Sequence, residues 1–264
     1  MSRTREQHRQ RHGAHPPRTP GERRPDTLWI YGLHPVEAAL ANPRRKIVRL
    51  LATPNALARL KEAGAQLPAS IEETTPRLLD HTLGREAVHQ GIALEAAPLP
   101  PLGIDALGKA RLVVVLDQIT DPHNVGAILR SAVAFGAEAV VTTGRHAAVE
   151  GGVLAKAASG ALDRIKWIEV QNLARALEEM KAKGFRAIGL DSEAETAMED
   201  AAGGERIALV LGAEGKGLRR LTRDTCDIVA RLTVPGEIAS LNVSNAAAIA
   251  LYVTSRALAG GGRV

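Results

Sequence analysis

Apolar and polar positions change period several times along the chain, and each change marks an element. The run RLVVVLD, residues 111–117, is continuously apolar up to its last residue, as a strand covered on both faces requires. Pro122 ends it, and Asp121 or Asn124 is placed to cap a helix continuing through ILRSAVAFGA. On that helix Ile128, Leu129, Ala132, Val133 and Phe135 recur at helical spacing, which predicts a face packed on a sheet. The alternation continues downstream. EAVVTT, KWIEV, FRAIGLD, RIALVLG and CDIVARL read as strands, while LARALEEMKAKG and SNAAAIALYVTSRAL read as helices. Residues 111–264 therefore predict an α/β domain whose parallel sheet carries helices on both faces.

Upstream, LWIYGLHPVEAALANPRRKIVRLLAT reads as strand, helix, strand. Helices at NALARLKEAG and near PRLLDHTLG follow, then a strand at QGIALEAA, so residues 27–97 predict a smaller α/β unit. Between the two, residues 98–110 (PLPPLGIDALGKA) are rich in Pro and Gly and read as a linker with few contacts across it.

Composition adds limits. With 45% apolar and only 2% aromatic residues, the core must be built from Ala, Val, Leu and Ile. No run approaches the roughly 18 apolar residues of a membrane span, and no apolar signal region opens the sequence, so the expectation is a cytoplasmic protein without a membrane partner. The single cysteine, Cys226, excludes an internal disulfide and a cysteine-based zinc cluster, and predicts a small buried residue rather than a nucleophile. His34, His89, His123 and His146 show no ligand spacing, so no metal is expected. The formal charge is +5, yet residues 1–25 hold seven arginines against Glu6 and Glu22, which accounts for the whole excess. Residues 1–26 thus predict a disordered basic tail able to neutralise nucleic-acid phosphates, and the remaining body is formally neutral.

The common nucleotide signatures fail. No G-x-G-x-x-G follows the first strand of the second domain, LGAEGKGL has the wrong spacing for a P-loop, and no G-x-S-x-G elbow occurs. Three other segments stand out: DPHNVGAILR, LVLGAEGKGL (209–218) and LTVPGEIASLNVSNAAAIALY (232–252). Each places glycines, backbone amides and a few polar side chains at the carboxyl end of an apolar strand, where open α/β sheets bind ligands. Taken singly, each is compatible with plain turn chemistry, with Ser240 or Asn242 serving as an N-cap. Three together in one sheet favour a site.

In order and content these segments resemble the three signature motifs of the SpoU/TrmH family, the RNA 2′-O-ribose methyltransferases of the SPOUT superfamily. The resemblance spans residues 111–258. Residues 27–97 look like the substrate-binding domain of its ribosomal-RNA branch, with YGLHPVEAAL and HQGIAL as recognisable ends. Within the family the likeness is nearest to bacterial enzymes that methylate a guanosine ribose in large-subunit ribosomal RNA. A transfer-RNA substrate, or a non-catalytic RNA-binding assembly factor on the same fold, are the alternatives. The resemblance implies a deep trefoil knot, a homodimer with the active site at or near its interface, and S-adenosyl-L-methionine as cofactor. It also implies Asn124, Arg130, Glu214, Ser240 and Asn242 as active-site residues, with backbone at Gly212, Leu232 and Leu241 holding the cofactor. Arginine's intrinsic pKa exceeds about 12, so a free Arg130 is a poor base. Either RNA phosphate and desolvation perturb it, or it positions the ribose while another group takes the proton.

Overall fold

The computed structural model describes residues 26–144, 150–236 and 241–260. The first unit is a four-stranded sheet built from β1 (Leu28–Tyr31), β2 (Ile47–Ala52), β3 (Ile71–Glu73) and β4 (Ile92–Ala96), in the order β1-β4-β2-β3. Strand β4 runs antiparallel to both neighbours, and β3 adds to β2 in parallel. Helices α1 (Leu33–Ala41), α2 (Pro54–Glu62) and α3 (Pro76–Leu83) connect the strands. Both α2 and α3 start on a threonine cap followed by proline: Thr53 accepts from Ala56 N, and Thr75 from Leu78 N.

The second unit holds seven strands in the order β7-β6-β5-β10-β8-β11-β9, every pair parallel. They are β5 (Leu112–Asp117), β6 (Ala139–Thr143), β7 (Lys166–Val170), β8 (Arg186–Leu190), β9 (Thr196–Ala197), β10 (Ile207–Gly212) and β11 (Ile228–Arg231). The helices are α4 (Pro122–Ala134), α5 (Gly152–Ala158), α6 (Leu173–Ala182), α7 (Met198–Ala201), α8 (Arg220–Thr225) and α9 (Val243–Leu258). Residues of β5 alternate between two cores. Leu112, Val114 and Leu116 join α4, α5 and α9 on one side, while Val113 and Val115 meet Leu173, Leu177 and Met180 of α6 on the other. This double burial is why the strand sequence is an apolar run without alternation.

Strand order decides where a site can form. The chain moves outward from β5 through β6 to β7, then crosses to β8 and later inserts β10 between β5 and β8. In register, Gly212 at the end of β10 lies beside Asp117 at the end of β5, and Leu211 beside Leu190 of β8. Three strand ends therefore converge at the point where the order reverses, the place open α/β sheets reserve for ligands.

The linker expectation needs correction. Leu102 forms a parallel bridge with Ile168, Leu102 N donates to Trp167 O (2.9 Å), and Leu107 is fully buried against the second sheet. Proline fixes an extended path here, and the interspersed leucines anchor it. The two units also share one continuous apolar core. Gly152, the first residue of α5, and Gly160, just beyond its end, let that helix press on the first unit: a Cβ at Gly152 would fall 2.9 Å from Trp29 O, and one at Gly160 3.0 Å from His34 O.

Arg45 closes this seam from a fully buried position. Its Nε and Nη2 donate to the two oxygens of Asp163 (2.9 and 3.0 Å), and Nη1 donates to Glu150 (2.5 Å) and Ala97 O (3.0 Å). Glu150 in turn accepts from Leu99 N at 2.7 Å. Burial pushes the Glu150 carboxyl above the usual carboxylate range, with Arg45 opposing that rise. Such a cluster adds little net stability over apolar packing, but losing any one member strands buried charge.

Candidate active site

Asp121, not Asn124, caps α4: its side chain accepts from His123 N at 3.0 Å. That frees Asn124 in the first turn, and Asn124 Oδ1 accepts instead from Asn242 Nδ2 at 3.1 Å. Asn242 is the N-cap of α9, with Oδ1 accepting from Ser244 N (2.9 Å) and Ser244 Oγ (2.6 Å). Capping fixes which end of the Asn242 amide is oxygen, so its NH2 must face Asn124. The first and third sequence segments, 118 residues apart, thus meet through one oriented amide.

The second segment is tied to the first by Asp117. This carboxylate, fully buried at the end of β5, accepts from Arg219 N (3.0 Å) and Arg219 Nε (2.6 Å). Between β10 and Arg219 the chain folds back tightly, with Gly217 N donating to Ala213 O at 2.8 Å. A Cβ at Gly212 would lie 2.2 Å from the Gly217 carbonyl carbon, so only glycine permits the turn.

These elements enclose a cavity of about 620 Å³ at the carboxyl ends of β8 and β10. Gly212, Glu214, Leu232, Leu241 and Asn242 all line it. The size suits a ligand somewhat larger than a nucleoside, and the mix of leucine side chains with bare glycine backbone suits a flat heterocycle. Its charged lining is mixed: Asp191, Glu193 and Glu214 stand with Lys216 and Arg223, and Arg223 pairs with Asp191. Three carboxylates against two cations leave a small negative excess, which is compatible with a cationic ligand. A methionine-linked nucleoside carrying a sulfonium fits the donor set on both counts.

Four further residues belong to this wall and were missed from the sequence. Asp191, Ser192 and Glu193 follow β8, and Arg223 of α8 pairs with Asp191 Oδ2. Asp191 Oδ1 also accepts from Glu193 N at 2.9 Å, which holds the turn closed. The signal was present in FRAIGLDSE, where acidic residues end an apolar strand.

Arg130 does not line the cavity. It is exposed on α4, six residues beyond Asn124, which places it about 9 Å along the axis and about 120° around it. Ser240 lies outside the described residues. Cys226 is half-buried and outside the cavity; burial pushes its thiol up to about 12, and Sγ faces Thr222 O at 3.3 Å.

A parallel sheet of this order, with a glycine-lined cavity at its switch point, defines an open α/β protein with a ligand site at the carboxyl ends of its strands. The chain belongs to the SpoU rRNA methylase family, whose model matches residues 111–252. A second model, RNA 2′-O ribose methyltransferase substrate binding, matches residues 29–102. The chain is 37% identical over 240 residues to the 23S rRNA (guanosine-2′-O-)-methyltransferase RlmB of Xylella fastidiosa, covering 86% of this chain and 96% of that one. It is likewise 37% identical over 234 residues to the enzyme of that name from Pseudomonas aeruginosa, covering 84% and 94%. Among solved structures, the SpoU methyltransferase AviRb of Streptomyces viridochromogenes in complex with AdoMet shares the fold. Its TM-score is 0.74 at 22% identity, over 88% of this chain and 90% of that one.

Proposed function

We propose that this protein transfers the methyl group of S-adenosyl-L-methionine to a ribose 2′-hydroxyl of RNA, at a guanosine of 23S ribosomal RNA. The observation that carries this reading is the glycine-lined cavity bounded by Glu214 and Asn242, in a chain 37% identical to enzymes named for that reaction. When bound, the cofactor supplies an electrophilic methyl on a sulfonium. Backbone at Gly212, Leu232 and Leu241 would hold it, and Glu214 would contribute a negative charge to the cavity that receives it.

The protein's task is then to bring a hydroxyl oxygen in line and take up its proton. Asn124 Nδ2 has no hydrogen-bond partner among the described residues, while its Oδ1 is held by Asn242. It is placed to orient the ribose, and Ser240 is assigned to the same task on its match to the third motif alone. Holding the two reacting atoms in line can remove about 7–11 kcal/mol of the barrier.

Arg130 reaches the site from a second copy of the chain. On one protomer it diverges from Asn124 around α4, whereas α9, packed beside α4, presents an exposed stripe of Asn245, Ile249, Tyr252 and Arg256. Ile249 and Tyr252 are each 44% exposed, large apolar area that a homodimer would cover. A deep trefoil knot in the second unit belongs to the same proposal. Residues 27–97 act as the RNA-binding unit and residues 111–264 as the methyltransferase, in the cytoplasm. No described helix is long and apolar enough to cross a membrane.

The test is incubation of the full chain with methyl-labelled cofactor and a 23S transcript. Label should enter RNA at a position that resists alkaline cleavage, since a 2′-O-methyl blocks attack on the adjacent phosphodiester. Label released to water, or found on a base, would contradict the reading.

A further inference from the structure

Two motifs of the first unit, YGLHPV and HQG, play no part in the cavity, yet they meet one residue of the second unit. Gly32 has φ +89° and Gln90 φ +57°, both in the left-handed region. Gln90 is held there by its side chain, whose Oε1 accepts from Leu33 N at 3.0 Å. Lys156 of α5 enters the notch between them. A Cβ at Gly32 would lie 2.7 Å from Lys156 Nζ and 3.1 Å from Gln90 Oε1, so the ammonium rests against bare backbone.

What the ammonium lacks is a counter-charge. No carboxylate pairs with Lys156 among the described residues, and the two acids nearest the seam, Glu150 and Asp163, are both taken by Arg45. Burial accordingly draws the amine below its ordinary range. An unpaired, half-buried lysine is costly unless something outside the protein pairs with it. Its place limits what that can be. Ala157, the next residue, sits on Gly126 of α4, two residues from Asn124, while Gly32 and Gln90 belong to the unit matched by the substrate-binding model. The notch therefore lies on the line between that unit and the active-site helix.

We propose that Lys156, framed by Gly32 and Gln90, is a binding site for a backbone phosphate of the RNA substrate, fixing its register between the two units. This rests on the reading of the substrate as RNA. The Arg45 cluster joins the two units beside the notch, so the Lys156 ammonium keeps a fixed place between them.

Binding, measured by filter retention of a 23S transcript on the full chain across a salt series, tests the site without requiring turnover. Failure of methyl transfer would thus be read separately from failure of this proposal. Lys156→Met keeps the stem and removes the charge. It should weaken RNA binding about three- to tenfold and lower the log–log salt slope by about 0.7–0.9, the loss of one phosphate contact. Affinity for S-adenosylmethionine should stay within about twofold, and the melting temperature should not fall, because a desolvated charge has been removed. Lys156→Arg should restore the slope. An unchanged slope in Lys156→Met overturns the proposal, and so does a lowered melting temperature with the slope intact, which would make Lys156 a structural residue.

Discussion

At the scale of single residues, one amide organises the candidate site. Asn242 caps α9 with its oxygen and reaches Asn124 with its nitrogen, so helix stability and site geometry share a side chain. The two roles separate by substitution. Asn242→Ser keeps a good cap, so stability should change by less than about 1 kcal/mol, but the shorter side chain cannot hold Asn124. Methyl transfer should fall steeply while the urea midpoint stays near that of the parent. Equal losses of both would show that capping is the whole role. Arg130 makes a different prediction. It lies outside the cavity, so Arg130→Ala should leave S-adenosylmethionine affinity within about threefold while cutting kcat by at least about 10²-fold. Mixing Arg130→Ala protomers with protomers carrying Asn242→Ser should restore part of the activity if each site draws on both copies. No recovery in mixed dimers would place the site within one chain.

At the scale of elements, the sequence was most legible where burial is uniform. Runs such as RLVVVLD and RIALVLG sit in the middle of a parallel sheet, where both faces demand apolar residues, and they became β5 and β10. The long helices α4, α6 and α9 were equally plain from their periodicity. Short elements were not: β3, β9, α5, α7 and α8 span too few residues for a period to emerge, and tertiary packing supplies what local pattern does not. The candidate site divides the same way. Gly212, Leu232, Leu241, Glu214 and Asn242 all line one cavity. Asp117 and Asp191 were passed over because a charge at a strand's end reads as the first residue of a loop. Only the sheet order, which puts β10 between β5 and β8, turns those ends toward one another. The turn after β10 carries a prediction of its own. Gly212→Ala forces a methyl into the Gly217 backbone, and the turn must open at a cost of about 1–3 kcal/mol. Cofactor affinity should drop at least about tenfold by calorimetry, with helix and sheet content unchanged by circular dichroism. Unaltered affinity would mean that the turn does not shape the cavity.

At the scale of the whole molecule, a shared core and the Arg45 cluster join the two units into one cooperative body. Each unit carries one tryptophan, Trp29 in β1 and Trp167 in β7, so their unfolding can be followed separately. In urea, Trp29→Phe and Trp167→Phe variants should report transitions at the same midpoint. Arg45→Ala strands Asp163 and Glu150 without their cation and should cost about 3–5 kcal/mol. Midpoints that differ between the two probes in the otherwise unaltered chain would show independent domains instead. On the proposed function, the joined body fixes the distance between the first unit, as the RNA-binding unit, and the cavity, so one ribose is presented rather than many. That claim has a direct measurement: mapping 2′-O-methyl groups across 23S ribosomal RNA from cells with and without the gene. The account predicts that a single methylated guanosine loses its mark and regains it when the intact gene, but not one encoding Arg130→Ala, is returned. An identical methylation map in both strains would contradict it.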